Sequence, residues 1–278
     1  MDYIEVSFSV SPKDPATEIL IAELGELNYE MFQETESGVL AYVPADLFSL
    51  DNLNSIELMN NDLALISFEY KLIQDQNWNS EWEKNFQPII VDDTCVVRAP
   101  FHHLDKEYLF DLIVEPKMSF GTGHHETTFL MLSHILTLNI SDMKVLDMGC
   151  GTAVLAILAA KKQAKEILAI DIDEWAVENS LENITRNNIT NVKVIKGDAQ
   201  LLDNESDYDL VFANINRNIL LKDIAKYHAV MKKNAFLLLS GFFVTDINSL
   251  LEASSSLGFD LQNSLEKNNW AMLCLKKQ

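Results

Sequence analysis

The spacing of apolar residues changes along the chain and divides it into two parts. Residues 3 to 10, YIEVSFSV, alternate apolar with polar side chains, which predicts a strand with one buried face. From residue 144 onward, short aliphatic runs alternate with longer segments of helical spacing. Such runs are typical of strands that are buried on both faces of a parallel sheet. The pattern predicts an α+β unit followed by an α/β unit.

Six elements are predicted in the first part. Strands are expected over residues 3–10, 29–33, 38–43 and 64–73, and helices over residues 16–27 and 44–58. This β-α-β-β-α-β order is that of a small ferredoxin-like domain. Its residues suggest no catalytic constellation, so we expect it to be a binding module.

A polar segment with regularly spaced aromatic residues follows, QDQNWNSEWEKNFQP over residues 74–88. Its Trp78, Trp82 and Phe86 are four residues apart, the spacing of one helical face. The segment is a predicted linker helix; a surface helix packed on one domain is the alternative. The expected domains are an N-terminal substrate-recognition domain over residues 1–73, a linker helix over 74–92 and a catalytic domain over 93–278.

The best-defined motif of the larger part is a strand, a glycine turn, a helix and a second strand. It spans residues 144–173, KVLDMGCGTAVLAILAAKKQAKEILAIDID. Gly149 and Gly151 interrupt the first strand, and Asp171 ends the second one. Glycines at such a turn let a ligand approach the backbone, and an acidic residue about 20 positions further on is placed to bind ribose hydroxyls. The segment is a predicted βαβ nucleotide-binding unit.

Two details separate this motif from a dinucleotide-binding fingerprint. Val154 occupies the position of the third glycine, and Asp147 stands two residues before the first. This D-x-G-x-G pattern with a strand-end aspartate resembles S-adenosylmethionine (AdoMet)-dependent methyltransferases with a Rossmann-like domain. The resemblance implies that the loop at Gly149 and Gly151 faces the amino-acid end of the cofactor and that Asp171 binds its ribose. A nicotinamide-dependent oxidoreductase is the alternative, which the missing glycine disfavours.

The α/β alternation continues to the end of the chain. Strands are predicted over residues 144–147, 167–170, 192–195, 209–213, 236–240, 260–265 and 270–275, the last two as an antiparallel hairpin. Two earlier strands, over residues 94–98 and 108–114, are expected as a hairpin or as edge strands. Asp198 follows the third strand of the seven and is placed to bind the adenine amino group; a solvated loop aspartate is the alternative.

A polar loop precedes the first helix of the catalytic domain. It reads EPKMSFGTGHHETT over residues 115–128, and an apolar helix follows over residues 129–136. Thr127 or Thr128 is expected to cap this helix, whose N-terminal amides favour an anion such as a cofactor carboxylate. A metal at His124, His125 and Glu126 is not expected, because adjacent histidines point in different directions.

Charge and composition narrow the range of partners. The chain carries a net charge of −21, and residues 1–75 hold 15 acidic residues against two lysines, so this segment contributes −13. Such an acidic segment repels phosphate backbones, so we expect a basic protein partner and no direct nucleic-acid binding; an acidic surface that serves only solubility is the alternative. Three cysteines in no paired motif and no apolar run of membrane-spanning length predict a cytoplasmic protein without membrane contact.

Several motifs together resemble one methyltransferase family. FGTGHHETT, DMGCGTA, AIDID, VFANI and WNSEWEKNFQP are similar to those of the large-subunit ribosomal protein eleven methyltransferases, the PrmA family. The resemblance covers nearly the whole chain and implies a seven-stranded class I methyltransferase domain behind a small ferredoxin-like domain and a linker helix. It also implies AdoMet as cofactor, the ribosomal protein as substrate, free or loosely ribosome-associated, and methylation of its N-terminal α-amine and lysines. A monomer is expected, and another translation protein or RNA is the alternative substrate.

The resemblance also assigns site residues. It places Thr128, Gly149, Asp171 and Asn214 at cofactor and active-site positions. Three residues depart from the family pattern, which has Thr at His124, Pro at Glu126 and Gly at Ala153.

The chemistry of methyl transfer gives Asn214 a role. Transfer from a sulfonium is an in-line displacement, so the enzyme must chiefly align a neutral amine. The side-chain carbonyl of Asn214 can accept a hydrogen bond from that amine; an asparagine that only closes a turn is the alternative. Enzymes that act on glutamine or on base amines usually continue with prolines and an aromatic residue, but here Ile215 and Asn216 follow.

Overall fold

The computed structural model describes residues 2–61, 63–73, 86–117 and 125–278. The chain divides into two compact units, Met1–Asn85 and Phe86–Gln278. Most of the predicted linker helix, including Trp78 and Trp82, lies outside the described residues.

The first unit is a four-stranded antiparallel sheet with the predicted order of elements. These elements are β1 (Tyr3–Ser11), α1 (Ala16–Glu26), β2 (Met31–Glu34), β3 (Gly38–Pro44), α2 (Leu50–Asn54) and β4 (Leu65–Ile73). The sheet order is β2-β3-β1-β4, and every neighbouring pair is antiparallel. In β1 the side chains of Val6 and Phe8 are buried, whereas those of Ser7 and Ser9 are exposed. The alternation in the sequence therefore predicted both the strand and its buried face.

The helix predicted over residues 44–58 is much shorter in the structure. Pro44 ends β3, and its carbonyl accepts a hydrogen bond from the amide of Leu47 in a turn (2.9 Å). Helix α2 begins after Ser49, whose hydroxyl accepts an amide hydrogen bond from the first turn (3.3 Å). A 3-10 helix, Glu57–Asn60, follows. The prediction failed because capping serines and asparagines bind backbone groups locally and shorten a helix that apolar spacing alone would extend.

A three-stranded sheet begins the second unit. Its strands are β5 (Ile89–Val91), β6 (Cys95–Arg98) and β7 (Phe110–Ile113). The pair β5–β6 is antiparallel, whereas β6 and β7 are parallel. The predicted hairpin is therefore wrong, because a parallel pair requires a crossover connection instead of a tight turn. Arg98 and Asp111 hold β6 against β7 through two hydrogen bonds of 2.8 and 2.9 Å.

The large sheet of the second unit has seven strands, as predicted. They are β8 (Lys144–Met148), β9 (Glu166–Asp171), β10 (Val192–Lys196), β11 (Tyr208–Asn214), β12 (Met231–Phe243), β13 (Phe259–Lys267) and β14 (Trp270–Lys277). Their order is β10-β9-β8-β11-β12-β14-β13. The neighbours from β10 to β12 are parallel, and β14 runs antiparallel to both β12 and β13. The predicted C-terminal hairpin is confirmed.

Helices cover both faces of this sheet. They are α3 (Glu126–Thr137), α4 (Val154–Lys161), α5 (Glu174–Arg186), α6 (Arg217–Val230) and α7 (Ile247–Ser256). Successive residues of β8 point to opposite faces, so Val145 packs in the apolar cluster that contains α4 and Leu146 packs in the cluster that contains residues of α6. Burial on both faces explains why the strands are continuous apolar runs. Among the described helices, none combines the length and the apolar character needed to cross a membrane.

Candidate active site

The carboxyl ends of the parallel strands enclose a cavity. Strand order reverses between β8 and β11, and open α/β sheets bind ligands at the carboxyl ends of such strands. A cavity of about 430 Å³ lies at this position. Five of the predicted site residues line it: Gly149, Gly151, Asp171, Asp198 and Asn214. The topology thus brings together residues that are up to 65 positions apart in sequence.

The glycine turn after β8 is fixed by its backbone. Gly149 and Gly151 have positive φ angles of 70° and 56°, which glycine adopts without a steric penalty. A Cβ atom on Gly149 would lie 2.2 Å from Cγ2 of Ile215. The turn therefore leaves no space for a side chain at Gly149, and a ligand can reach its backbone from the cavity.

Asp171 at the end of β9 holds this turn in place. Its Oδ2 accepts the amide hydrogen of Gly151 at 2.8 Å, and its Oδ1 accepts that of Asp173 at 3.1 Å. The residue is only 9% exposed. A carboxylate has about four acceptor positions, so about two remain for the hydroxyl groups of a ligand.

Asp147 lies beneath the turn and does not line the cavity. It is fully enclosed, and neither carboxylate oxygen makes a well-formed hydrogen bond within the described structure. The pKa of this carboxyl is raised to about 7, chiefly by burial; the backbone of Ala156 lowers it and the negative charge of Asp171 raises it, both to a smaller extent. Asp147 is therefore a buried group that titrates near neutral pH.

Asn214 is the last residue of β11, and a hydrogen bond orients its side-chain amide. Its Nδ2 donates to Oγ1 of Thr128 at 3.3 Å. Its Oδ1 is buried and has no hydrogen-bond partner in the described structure. A buried acceptor without a partner is costly, so this carbonyl is suited to a donor that a ligand brings. Thr128 itself is fully buried and reaches the site through Asn214.

The start of α3 differs from the prediction. His125 is the N-cap residue, and its Nδ1 accepts the amide hydrogen of Thr127 at 3.3 Å. Thr127 and Thr128 lie in the first turn instead of capping it, because the helix begins at Glu126. His124 lies outside the described residues. The carboxylate of Glu126 accepts a hydrogen bond from Asn268 at 3.0 Å, which ties the start of α3 to the hairpin between β13 and β14.

Ala153 has a conformation that favours glycine. It precedes α4 with φ at 62°, and its side chain is fully buried. A left-handed conformation costs a residue with a Cβ roughly 1–2 kcal/mol. This backbone conformation explains why a glycine suits the position. Ala153 adopts it with some backbone strain.

Asp198 has a local role that the sequence did not indicate. Its Oδ1 accepts the amide hydrogen of Gln200 at 2.8 Å and so caps the 3-10 helix Ala199–Asn204. The residue lines the cavity and is partly exposed.

Other cavity residues were missed because they come from distant elements. Trp270 begins β14 and pairs with Phe243 at the end of β12. Its ring lies 4.6 Å from that of His125, edge to face. An antiparallel strand starts at the edge of the sheet where the neighbouring β12 ends, so Trp270 reaches the cavity through the strand order. Asp223 and Tyr227 of α6 also line the cavity, and no motif in the sequence singled them out.

No metal centre is found in the described part of the chain. Within residues 2–61, 63–73, 86–117 and 125–278, no cluster of three or more histidine, cysteine or acidic side chains is arranged to hold a metal ion.

The fold and the site define a class I AdoMet-dependent methyltransferase. A mixed seven-stranded sheet with an antiparallel last strand carries a glycine turn and a strand-end aspartate at its crevice. A solved structure of ribosomal protein L11 methylase from Lactobacillus delbrueckii subsp. bulgaricus has the same fold, with a TM-score of 0.64 and 24% identity over 69% of this chain and 100% of that one.

Sequence comparison then gives the family. The family model described as Ribosomal protein L11 methyltransferase (PrmA) matches residues 6–278. A relative of that name from Phocaeicola vulgatus is 42% identical over 98% of both chains. Another from Porphyromonas gingivalis is 43% identical over 98% of this chain and 97% of its own. The chain belongs to the ribosomal protein L11 methyltransferase (PrmA) family, which excludes the oxidoreductase alternative.

The buried carboxyl of Asp147 should make the free energy of unfolding depend on pH. An unfolded aspartate has a pKa of about 3.9, so between about pH 4 and 7 the folded protein keeps a proton that the unfolded chain has lost. The free energy of unfolding therefore falls as pH rises through this window. Relative to Asp147→Asn, which removes the titration, the wild type should lose about 2–3 kcal/mol between pH 5 and pH 8.

Denaturant unfolding at both pH values measures this difference. Asp203→Asn, at an exposed position, is the matched control and should track the wild type. If the wild type and Asp147→Asn differ by the same amount at pH 5 and pH 8, the carboxyl of Asp147 ionises normally.

Proposed function

We propose that this protein transfers methyl groups from AdoMet to the N-terminal α-amine and the lysine side chains of large-subunit ribosomal protein eleven. The observation that carries the proposal is the buried, unpartnered carbonyl oxygen of Asn214 at the carboxyl end of β11. A carbonyl oxygen can accept a hydrogen bond from an amine, and no described residue donates one to it. The family assignment supplies the identity of the substrate.

Each predicted cofactor residue has a physical basis for its role. Bound AdoMet supplies an electrophilic methyl group on a sulfonium. The glycine turn at Gly149 and Gly151 provides the open backbone for its amino-acid end, and Asp171 has about two acceptor positions left for the ribose hydroxyls. Asp198 lies at the next strand end, where the adenine belongs. The hydroxyl of Thr128 accepts a hydrogen bond from the amide of Asn214 and so orients it.

The acceptor must be neutral and aligned. An α-amine has a reference pKa of about 7.7–8.0 and is partly neutral at pH 7, whereas a lysine near 10.4 must first lose a proton. The carbonyl of Asn214 can hold one N–H of the neutral amine and leave its lone pair free to attack. Another translation protein or RNA remains the alternative substrate, and the experiment below distinguishes them.

The first unit is proposed to recognise the substrate. Its residues 1–73 contain two lysines, and both are paired with acidic residues: Lys13 with Glu34 at 3.5 Å and Lys71 with Glu5 at 2.8 Å. The remaining carboxylates leave this unit strongly negative and suited to a basic protein. We propose that residues 1–73 bind the ribosomal protein and that the part of the predicted linker before Phe86 joins them to the catalytic domain, since β5 belongs to the second unit. We also propose that the enzyme acts as a monomer on the free or loosely ribosome-associated substrate without binding nucleic acid directly.

Asp171→Ala should weaken AdoMet binding roughly tenfold to a hundredfold. The change removes charge-assisted hydrogen bonds of about 1.5–3 kcal/mol to the ribose and releases the amide of Gly151. Titration calorimetry with AdoMet measures the affinity, and the exposed Asp203→Ala serves as the control. An unchanged affinity would remove Asp171 from the cofactor site.

Asn214→Ala should lower turnover by on the order of a hundredfold, because one positioned polar contact to the acceptor is lost. AdoMet binding should change much less. The assay combines enzyme, AdoMet and free ribosomal protein eleven, and intact mass reports methyl-sized increments. Asn218→Ala is the matched control, since Asn218 is exposed at the start of α6, and the hydrogen bonds of its side chain within the described residues come from Arg217.

Two results of that assay contradict the proposal. Normal turnover of Asn214→Ala at saturating AdoMet would favour the turn-closing interpretation of this asparagine. Wild-type increments on RNA or on another translation protein, with none on ribosomal protein eleven, would change the substrate.

Removal of the first unit should separate cofactor binding from substrate recognition. A shortened chain should begin at Phe86, because β5 pairs with β6 and belongs to the second unit. It should bind AdoMet like the full chain but methylate the ribosomal protein at least about tenfold more slowly, since docking raises the local concentration of the acceptor. A short peptide with the same N-terminus should be methylated equally by both.

Salt dependence tests the electrostatic part of this proposal in the full-length enzyme. Activity on the ribosomal protein should fall as salt rises above about 0.15 M, where the Debye length is about 8 Å, while AdoMet affinity stays nearly constant. If the shortened chain methylates the ribosomal protein at the full rate, the first unit is not a recognition module.

A further inference from the structure

Two polar side chains of α6 have no role in the site described so far. Asp223 and Tyr227 are four residues apart and therefore lie on one face of the helix. Both line the cavity at the carboxyl ends of the parallel strands. Asp223 is only 6% exposed and Tyr227 is completely buried.

Neither side chain is satisfied by the described part of the protein. The hydroxyl oxygen of Tyr227 is buried and has no hydrogen-bond partner there. Asp223 forms no hydrogen bond and no ion pair with the described residues; Lys222 and Lys226 are close enough to favour its charge, but burial outweighs them and raises its pKa. A buried hydroxyl that remains unpaired is costly to a protein, and the carboxylate of Asp223 beside it is also free to accept a hydrogen bond. Their shared position on the cavity wall indicates that a ligand pairs with them.

The pair lies beside the loop that follows β10. Tyr227 packs in the same apolar cluster as Ala199 and Leu202 of the 3-10 helix after Asp198. Asp198 is also near enough for its charge to raise the pKa of Asp223. Asn214, where the acceptor amine is proposed to bind, precedes α6, and Asp223 lies about two turns into that helix. The pair therefore belongs to the cofactor end of the cavity and not to the acceptor end.

The pair presents a specific hydrogen-bonding pattern. A carboxylate only accepts hydrogen bonds, and a tyrosine hydroxyl can donate one. The edge of adenine offers the complement, an exocyclic amine next to a ring nitrogen that accepts. A 6-oxo purine instead presents a carbonyl oxygen at the position of the amine, which a carboxylate repels.

We propose that Asp223 and Tyr227 form the base-recognition subsite of the AdoMet pocket. Asp223 accepts a hydrogen bond from the exocyclic amine of the adenine, and Tyr227 donates one to the neighbouring ring nitrogen. This inference rests on the proposed cofactor site and moves the main discrimination of the base from Asp198 to α6. Asp198 is partly exposed and already uses one oxygen to cap the 3-10 helix, so it contributes less to selectivity.

Binding of two nucleosides tests the proposal without any turnover. Titration calorimetry compares S-adenosylhomocysteine with its 6-oxo counterpart, S-inosylhomocysteine. The wild type should prefer the adenosyl compound by at least about a hundredfold. In Asp223→Asn the new amide can rotate to donate to the 6-oxo group, so this preference should fall at least tenfold and the inosyl compound should bind more tightly than it does to the wild type. Tighter binding cannot result from misfolding.

Two further variants complete the test. Asp198→Asn should keep the wild-type preference, and Tyr227→Phe should weaken S-adenosylhomocysteine severalfold while it preserves the packing of the ring. The subsite is overturned if Asp223→Asn retains the wild-type preference, or if Asp198→Asn is the variant that loses it. Failure of the wild type to bind either compound would overturn the cofactor site itself and this subsite with it.

Discussion

The hydrogen bond from the amide of Gly151 to the carboxylate of Asp171 is the contact on which the site depends. It is 2.8 Å long and buried, and it joins the turn after β8 to the end of the neighbouring β9. Two more amides of the same turn, those of Gly149 and Cys150, donate to the carbonyl of Ile170. A charge-assisted bond is roughly twice as strong as a neutral one. Together these contacts fix both the open backbone of the turn and the carboxylate that is proposed to bind the ribose in one rigid unit before any ligand binds.

A second constraint places the acceptor side of the cavity. The loop after β11 is held between two glycines, because a Cβ on Gly149 would lie 2.2 Å from the side chain of Ile215 and a Cβ on Gly241 would lie 2.3 Å from its carbonyl oxygen. Asn214 directly precedes Ile215, so the position of its amide follows from these close approaches. The carbonyl that is proposed to orient the amine is thus fixed by backbone packing as well as by Thr128.

The sequence predicted those parts of the fold that depend on the spacing of neighbouring residues. Apolar runs gave the seven strands, and the glycine turn and Asp171 followed from the spacing of the βαβ unit. Predictions failed where a competing local contact decided the outcome, as with Ser49 at the start of α2 and His125 at the start of α3. Trp270 and Asp223 were missed for another reason. Their approach to the cavity depends on strand order and on helix packing, and neither is written in the spacing of nearby residues.

The charge of the cavity agrees with the cofactor that the fold implies. Among the described residues, no lysine or arginine lines it. Four aspartates do: Asp171, Asp173, Asp198 and Asp223. In a partly enclosed space such a set favours a cation and repels phosphate groups. AdoMet carries a sulfonium and an ammonium against one carboxylate, whereas a nicotinamide dinucleotide carries a pyrophosphate. The same crevice that binds dinucleotides in other α/β proteins is therefore selective here through the sign of its electrostatic field.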